Sequence, residues 1–332
     1  MVETAGIKFK KTAYLFPGQG AQYSGMALDL LSSDKVKLLF DTASEILKQD
    51  IKEILSSGTD NLKRTDVSQP AITAANLAAS VFLEDQGFAA SAYAGFSLGE
   101  YAALVCAGII GAADCFRLIK ARGEAMQKAA DSLREKSGEA PGMAAVVGLD
   151  PAQAENLIAQ WKAEGLNDLF AANINSPKQL VVSGTAAALK EAETRFKEAG
   201  AKRVIRLQVA GPFHSPLIIK AADSFAESLE SVSFNDPVMP VFSNVTGKKI
   251  SSGKEAKELA VKQITSPVRW VDIEKEIVSC GVDVCLETGP GKVLQGLWKD
   301  ASLVCANGNE IPVFAAGTMQ DINNLIIHEL SS

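Results

Sequence analysis

The chain has little histidine: two residues in 332, His214 and His328. Chemistry that needs a set of imidazoles is therefore excluded. Cysteine is also sparse. Cys106, Cys115, Cys280, Cys285 and Cys305 form no C-x-x-C pair and leave an odd count. That pattern excludes a Cys/His zinc cluster and a disulfide framework, and reads as reduced thiols in a reducing compartment. There is no excess of basic charge. A net charge of -6 argues against a nucleic-acid partner, whose binding face is basic. It leaves room for a local basic patch against an acidic protein. No apolar run approaches the ~20 residues that span a bilayer. The first eleven residues, MVETAGIKFKK, lack the apolar core of a secretory signal. The expectation is a soluble protein without a membrane partner, working as a monomer in the cytoplasm or in an organelle matrix.

What is present is an ordinary globular mix, 47% hydrophobic and 22% charged, long enough for two domains or one large domain with an insert. Thr12–Phe16 (TAYLF) reads as a strand that stops at the turn Pro17-Gly18-Gln19-Gly20. Helical patterns follow to about Leu55. Pro70–Asp85 reads as a long buried helix. Ala92–Ala94 reads as a short strand, followed by a helix to Gly108 and another over Ala112–Lys136. The polar stretch EKSGEAPG (135–142) is the clearest composition shift in the chain.

Beyond it, Met143–Gly148 reads as a strand. Asp150 and Pro151 start a helix as N-cap and first helical residue. Ala171–Ile174 and Leu180–Ser183 read as strands, Ala186–Ala199 as a helix closed by Gly200, and Val204–Val209 as a strand. This β-α-β-β-α-β order is the ferredoxin-like unit. After Gly211, helices and strands alternate again, with strands at Val282–Glu287 and Pro312–Ala316. The fold class is therefore α/β: an α/β-hydrolase-like large subdomain with a mostly parallel sheet (1–138 and 208–332), and an inserted ferredoxin-like small subdomain (139–207).

Gly95-Phe96-Ser97-Leu98-Gly99 fits G-x-S-x-G between a strand and a helix. A serine on so sharp a turn needs small neighbours two residues away on each side. The turn lifts Oγ out of the sheet and sets it at a helix N-terminus, where N–H groups face a developing oxyanion. The alternative is a capping serine in a Gly-rich turn. A nucleophilic serine needs a base. His328 sits at the end of the chain, where fraying is expected. His214 lies in the loop GPFHSP (211–216), stiffened by two prolines, and is the candidate base. The competing reading is a loop histidine held by backbone groups.

One arginine is misplaced. The helix Ala112–Lys136 has an apolar stripe at Cys115, Ile119, Met126, Ala129 and Leu133, and Arg122 fills its single vacancy. A guanidinium on an apolar face is costly unless paired. Arg122 either pairs with an internal carboxylate or awaits one on a substrate, which its planar fork would bind bidentately. The loop Phe16–Gln22 lacks the Lys-Ser/Thr of a phosphate loop and the G-x-G-x-x-G spacing. Its N–H near Gln19 is a candidate second oxyanion donor.

Several segments together resemble the malonyl-CoA:acyl carrier protein transacylase family and the similar acyltransferase domains of polyketide and animal fatty acid synthases. They are FPGQGAQ (16–22), GFSLGEYAAL (95–104), RGEAMQ (122–127), NINSPKQLVVSG (173–184), GPFHSP (211–216), QITSPVRW (263–270) and ETGPGKVLQGL (287–297), in the family's order. The resemblance implies transfer of malonyl from malonyl-CoA to the phosphopantetheine thiol of acyl carrier protein, for fatty acid or polyketide elongation. It implies Ser97 as nucleophile, His214 as base and Arg122 as the holder of the malonate carboxylate. The backbone N–H groups of Gln19 and Leu98 would form the oxyanion hole. Gln263 would orient the histidine through its backbone carbonyl, so no Asp-before-His partner is needed. No metal or tightly bound cofactor is implied. Phe96 is a departure: many bacterial members have histidine there (GHSLG), and the position bears on acyl selectivity. The Phe-His pair of GPFHSP is more like malonyl-selective than methylmalonyl-selective members.

Two rivals remain at this point. A serine hydrolase or thioesterase on the same core shares G-x-S-x-G but has no need for Arg122. A non-catalytic carrier-protein docking module has no need for Ser97 and His214 together. A trans-acting polyketide acyltransferase is a variant of the first reading.

Overall fold

The protein is described here from a computed structural model covering residues 11–137, 139–305 and 311–330. The first strand, β1 (Thr12–Phe16), is buried along its whole length. Its alternate side chains serve two cores. Tyr14 and Phe16 join Phe40, Tyr101 and Phe225 on one face, while Ala13 and Leu15 join Phe242, Trp270 and Trp298 on the other. A strand covered on both faces has no polar side, which is why TAYLF does not alternate with polar residues.

Three helices follow: α1 (Asp34–Leu47), α2 (Ile51–Ser56) and α3 (Thr65–Asp85). Ser33 and Asp50 cap the first two, accepting from the N–H groups of Val36 and Lys52. α3 starts at Thr65, not at Pro70 as the sequence suggested, and Pro70 lies inside it. The proline removes one helical hydrogen bond, but α3 is buried nearly all round and its packing overrides that local penalty. Strand β2 (Ala92–Gly95) then runs parallel to β1, with Gly95 opposite Phe16. It leads into α4 (Gly99–Cys106) and the long α5 (Ala112–Ser137).

The middle of the chain builds a second sheet from β3 (Gly142–Val147), α6 (Pro151–Ala163), β4 (Leu169–Ser176), β5 (Gln179–Gly184), α7 (Ala186–Glu198) and β6 (Arg203–Arg206). Asp150 caps α6, accepting from Gln153 N at 3.1 Å. Gly200 ends α7 at φ +98, a left-handed position that glycine occupies without strain. The strand order is β4-β5-β3-β6, all antiparallel. This is the ferredoxin-like arrangement. Ala144, Val146, Leu180 and Val182 pack under α6 and α7. Met143, Ala145 and Val181 face the main core instead. β6 is shorter than expected and stops at Arg206. As an edge strand it pairs only with β3. Leu207 N–H still donates to the Met143 carbonyl of β3, and Leu207–Val209 line the cavity described below.

Beyond β6 come α8 (Ile219–Leu229), α9 (Gly253–Gln263), α10 (Trp270–Ser279), β7 (Val284–Glu287), α11 (Val293–Cys305), β8 (Val313–Ala315) and α12 (Met319–Leu330). The expected helix–strand alternation is interrupted. Three helices run before β7, and the segment between α8 and α9 contributes only isolated bridges, such as Val241 beside Tyr93. The first sheet has the order β2-β1-β7-β8, every pair parallel. The turns after β1, β2 and β7 therefore open on the same sheet edge, where open parallel sheets place their ligands. Among the described residues, no helix is long and apolar enough to cross a membrane.

One buried group strains this packing. Glu274 on α10 is 1% exposed, and neither carboxyl oxygen has a hydrogen-bond partner. Burial holds its pKa well above the usual carboxylate range. Unfolding above the ordinary carboxylate pKa then releases a proton, so rising pH favours the unfolded chain. The melting temperature of Glu274→Gln relative to the parent should therefore climb between about pH 5 and about pH 8. The underlying gain is at most roughly 1.4 kcal/mol per pH unit. A difference that is flat with pH would show that Glu274 is ionised in the fold.

Candidate active site

The turn after β2 carries Ser97 at φ +50, a left-handed conformation that is costly for a residue with a Cβ. Both flanking glycines are required sterically. A Cβ on Gly95 would collide with the Gly99 and Glu100 backbone, and one on Gly99 with the Phe16 carbonyl. Gly18 packs so closely on the Phe96 carbonyl that it too has no room for a Cβ. The loops after β1 and β2 thus lie against each other. The backbone N–H groups of Gln19 and Leu98 find no acceptor among the described residues, while Gln19, Ser97 and Leu98 line one cavity.

His214 reaches that turn from 117 positions away in sequence, with Nε2 2.7 Å from Ser97 Oγ. Its own backbone is also left-handed, at φ +56. Its Nδ1 lies 2.9 Å from the Gln263 carbonyl and 3.2 Å from the Ser266 carbonyl. Carbonyls only accept, so Nδ1 carries the proton and Nε2 is left to accept from the serine. Burial, helped by the nearby Arg122 charge, pushes the His214 pKa down to about 4. The resting ring is therefore neutral. The other histidine, His328, has its side chain outside the described residues.

Arg122 is fully buried. Its Nη2 donates to Gln263 Oε1 at 3.0 Å, and the guanidinium lies 5.5 Å from the Tyr101 ring centroid. Its Nε has no partner, and among the described residues it forms no ion pair. The internal carboxylate that the sequence left open is thus not in direct contact. Gln263 joins the three groups: its carbonyl holds His214, its Oε1 accepts from Arg122, and its Nε2 donates to the Ser97 carbonyl at 3.1 Å.

The cavity over these residues has a volume of about 350 Å³ and is walled by Phe96, Met126, Val181, Phe213 and Leu297. Phe96 is edge-on to Trp270 at 5.4 Å between centroids. Three neighbours were not picked out from the sequence. Gln69 on α3 lines the cavity with its Oε1 buried and unpartnered. Glu100 on α4 is buried and accepts from Asn244 N at 2.7 Å, and burial raises its pKa to about 7. Asn244 is fully buried and bonds the backbone of the serine turn. Glu100 carried the same signal as Arg122, a charge on an otherwise apolar helix. Asn244 carried none.

Residues 13–321 match the acyl transferase domain family. The chain belongs to that family. Its curated relatives include the malonyl CoA-acyl carrier protein transacylase of Escherichia coli (strain K12), 40% identical over 290 residues, or 86% of this chain and 91% of that one. The transacylase of Bacillus subtilis (strain 168) is 38% identical over 291 residues, or 87% and 90%. Among solved structures, the transacylase of Coxiella burnetii has a TM-score of 0.86 at 33% identity, covering 96% and 97% of the two chains. A malonyl-transacylase solved in complex with a type II polyketide acyl-carrier protein has a TM-score of 0.86 at 34% identity, covering 96% and 99%. For this acyl transferase, the serine turn and its histidine stand in a fold shared along nearly the whole chain.

A neutral His214 with so low a pKa gives a definite pH profile. The base is lost only as pH falls through its folded pKa of about 4. Labelling of Ser97 by a sulfonyl fluoride, corrected for reagent hydrolysis, should stay within about twofold from pH 8 to pH 5.5 and drop below pH 5. A midpoint near the ordinary histidine value of about 6.5 would contradict this environment.

Proposed function

We propose that the chain transfers malonyl from malonyl-CoA to the phosphopantetheine thiol of acyl carrier protein; its relatives are named malonyl CoA-acyl carrier protein transacylases. The observation that carries this reading is the buried Arg122 guanidinium, its Nε unpartnered, beside the Ser97–His214 pair. A buried cation without an ion pair suits a ligand that brings its own carboxylate.

The steps follow from the geometry. His214 Nε2 takes the Ser97 proton as Oγ attacks the thioester carbonyl. The negative charge that forms on the carbonyl oxygen meets the N–H groups of Gln19 and Leu98. The C–S bond then breaks, and the CoA sulfur leaves with the proton from His214. Malonyl is now an ester on Ser97. The carrier thiol repeats the sequence in reverse: its proton passes to His214, its sulfur attacks the ester, and Ser97 recovers its proton. Arg122 holds the free carboxylate throughout, so the carbonyl faces Oγ in both halves of this ping-pong cycle. Gln263 is a positioning residue for both groups.

In this reading the described residues of 1–138 and 208–332 form the large subdomain and 139–207 the small one, and both contribute residues to the cavity wall. The protein acts as a monomer in the cytoplasm or in an organelle matrix.

Arg122→Ala is the discriminating variant. Malonyl loading of Ser97, read by intact mass, should fall by at least about 100-fold, while acetyl loading persists or rises. Equal loss of both acyl groups would remove Arg122 from carboxylate recognition. Free malonate in place of malonyl-carrier as the product would instead make the protein a hydrolase.

A further inference from the structure

The serine turn leaves two backbone groups stranded. Gly95 is the last residue of β2, and α4 begins at Gly99. Between them Ser97 is left-handed and belongs to neither ladder. Its N–H and the Gly95 carbonyl are interior groups, and an unmet interior backbone group is costly. One side chain satisfies both. Asn244 Nδ2 donates to the Gly95 carbonyl at 2.7 Å, and Asn244 Oδ1 accepts from Ser97 N–H at 2.5 Å.

Asn244 reaches this place along the free edge of β2. Upstream of it, the Pro240 carbonyl accepts from Tyr93 N–H at 2.8 Å, and Val241 bridges Tyr93 in parallel register. The segment starts as a strand beside β2. Where the backbone of the turn bends out of register, the amide of Asn244 replaces the missing ladder rungs. Asn244 is itself fixed at both ends of its peptide. Its N–H donates to Glu100 Oε2, and its carbonyl accepts from Arg269 N–H at 2.9 Å. Gly95, Ser97 and Glu100 thus all bond one residue. The arrangement also occupies the N–H of Ser97 itself, while the N–H groups of Gln19 and Leu98 keep no acceptor among the described residues.

We infer that Asn244, anchored by Glu100, is a positioning residue that holds Ser97 in its left-handed conformation and keeps the serine's own N–H out of the oxyanion site. This rests on the reading of Ser97 as the nucleophile. It does not depend on which acyl group Ser97 carries.

The test separates rate from binding. Asn244→Ala should slow labelling of Ser97 by a sulfonyl fluoride on the order of 100-fold, the scale expected when a reacting group is displaced by about 1 Å. It should slow acylation by malonyl-CoA by a similar factor. The affinity for malonyl-CoA, measured calorimetrically in a Ser97→Ala background, should stay within about threefold, because Arg122 and the cavity wall are untouched. Asn244→Asp keeps the size and the acceptor for Ser97 N–H but turns a carboxylate oxygen toward the Gly95 carbonyl. It should also lose at least about 10-fold in labelling rate, and it serves where the alanine variant does not fold. Unchanged labelling rates in both variants, or binding that falls in step with rate, would overturn the inference. Wild-type protein that reacts with the sulfonyl fluoride but not with malonyl-CoA would overturn the malonyl reading and leave this one standing.

Discussion

Gln263 occupies a position on which the rest of the site depends. It is the last residue of α9 and is 1% exposed. Its backbone carbonyl is free because helices end with unpaired carbonyls, and His214 Nδ1 takes that acceptor. Its side-chain amide then has two ends to satisfy in a buried position. One accepts from Arg122 and the other donates to the Ser97 carbonyl. A single residue therefore sets the imidazole tautomer, the place of the guanidinium and the back of the serine turn. An aspartate here would bring a buried charge that burial penalises. A backbone carbonyl orients the ring without adding one.

The charges around that hub follow from the same burial. Burial raises Glu100, lowers His214 and lowers Arg122 from their ordinary values. Burial is the first cause of each shift, and the charges of Glu100 and Arg122 partly offset it in one another. Arg122 keeps its charge, because guanidinium is not deprotonated in proteins. The ring beside it is kept neutral. The low-dielectric interior thus prepares a neutral base beside a cation that has no ion pair among the described residues, which is costly without a ligand and suited to an acyl group ending in a carboxylate.

Much of the fold was legible in local pattern. The capping of α6 by Asp150, the glycine after α7, and the ferredoxin-like order of the middle segment are all short-range effects. The misreadings were also physical. Pro70 is a reasonable helix start by local rules, but burial on all sides extends α3 back to Thr65. Val204–Val209 has the composition of a strand, but the ladder to β3 runs only from Arg203 to Arg206, with one further bond from Leu207 N–H to the Met143 carbonyl. Gln263 came from family resemblance, since nothing in a glutamine at a helix end marks it as a hub.

The sequence by itself determined the parts whose cause is local. A serine between two glycines must turn sharply, and an arginine on an apolar stripe must enter the interior, wherever the rest of the chain goes. The tertiary structure decided which partner each buried polar group received. Ser97 meets His214 across 117 positions, Arg122 meets Gln263 across 141, and Asn244 meets Gly95 across 149. Hydrogen bonds select partners by distance and angle in space, and neither is written in the spacing of residues along the chain. That is why Glu100 could have been noticed as a misplaced charge, while Asn244 became visible only when its amide was seen bridging the two ends of the turn.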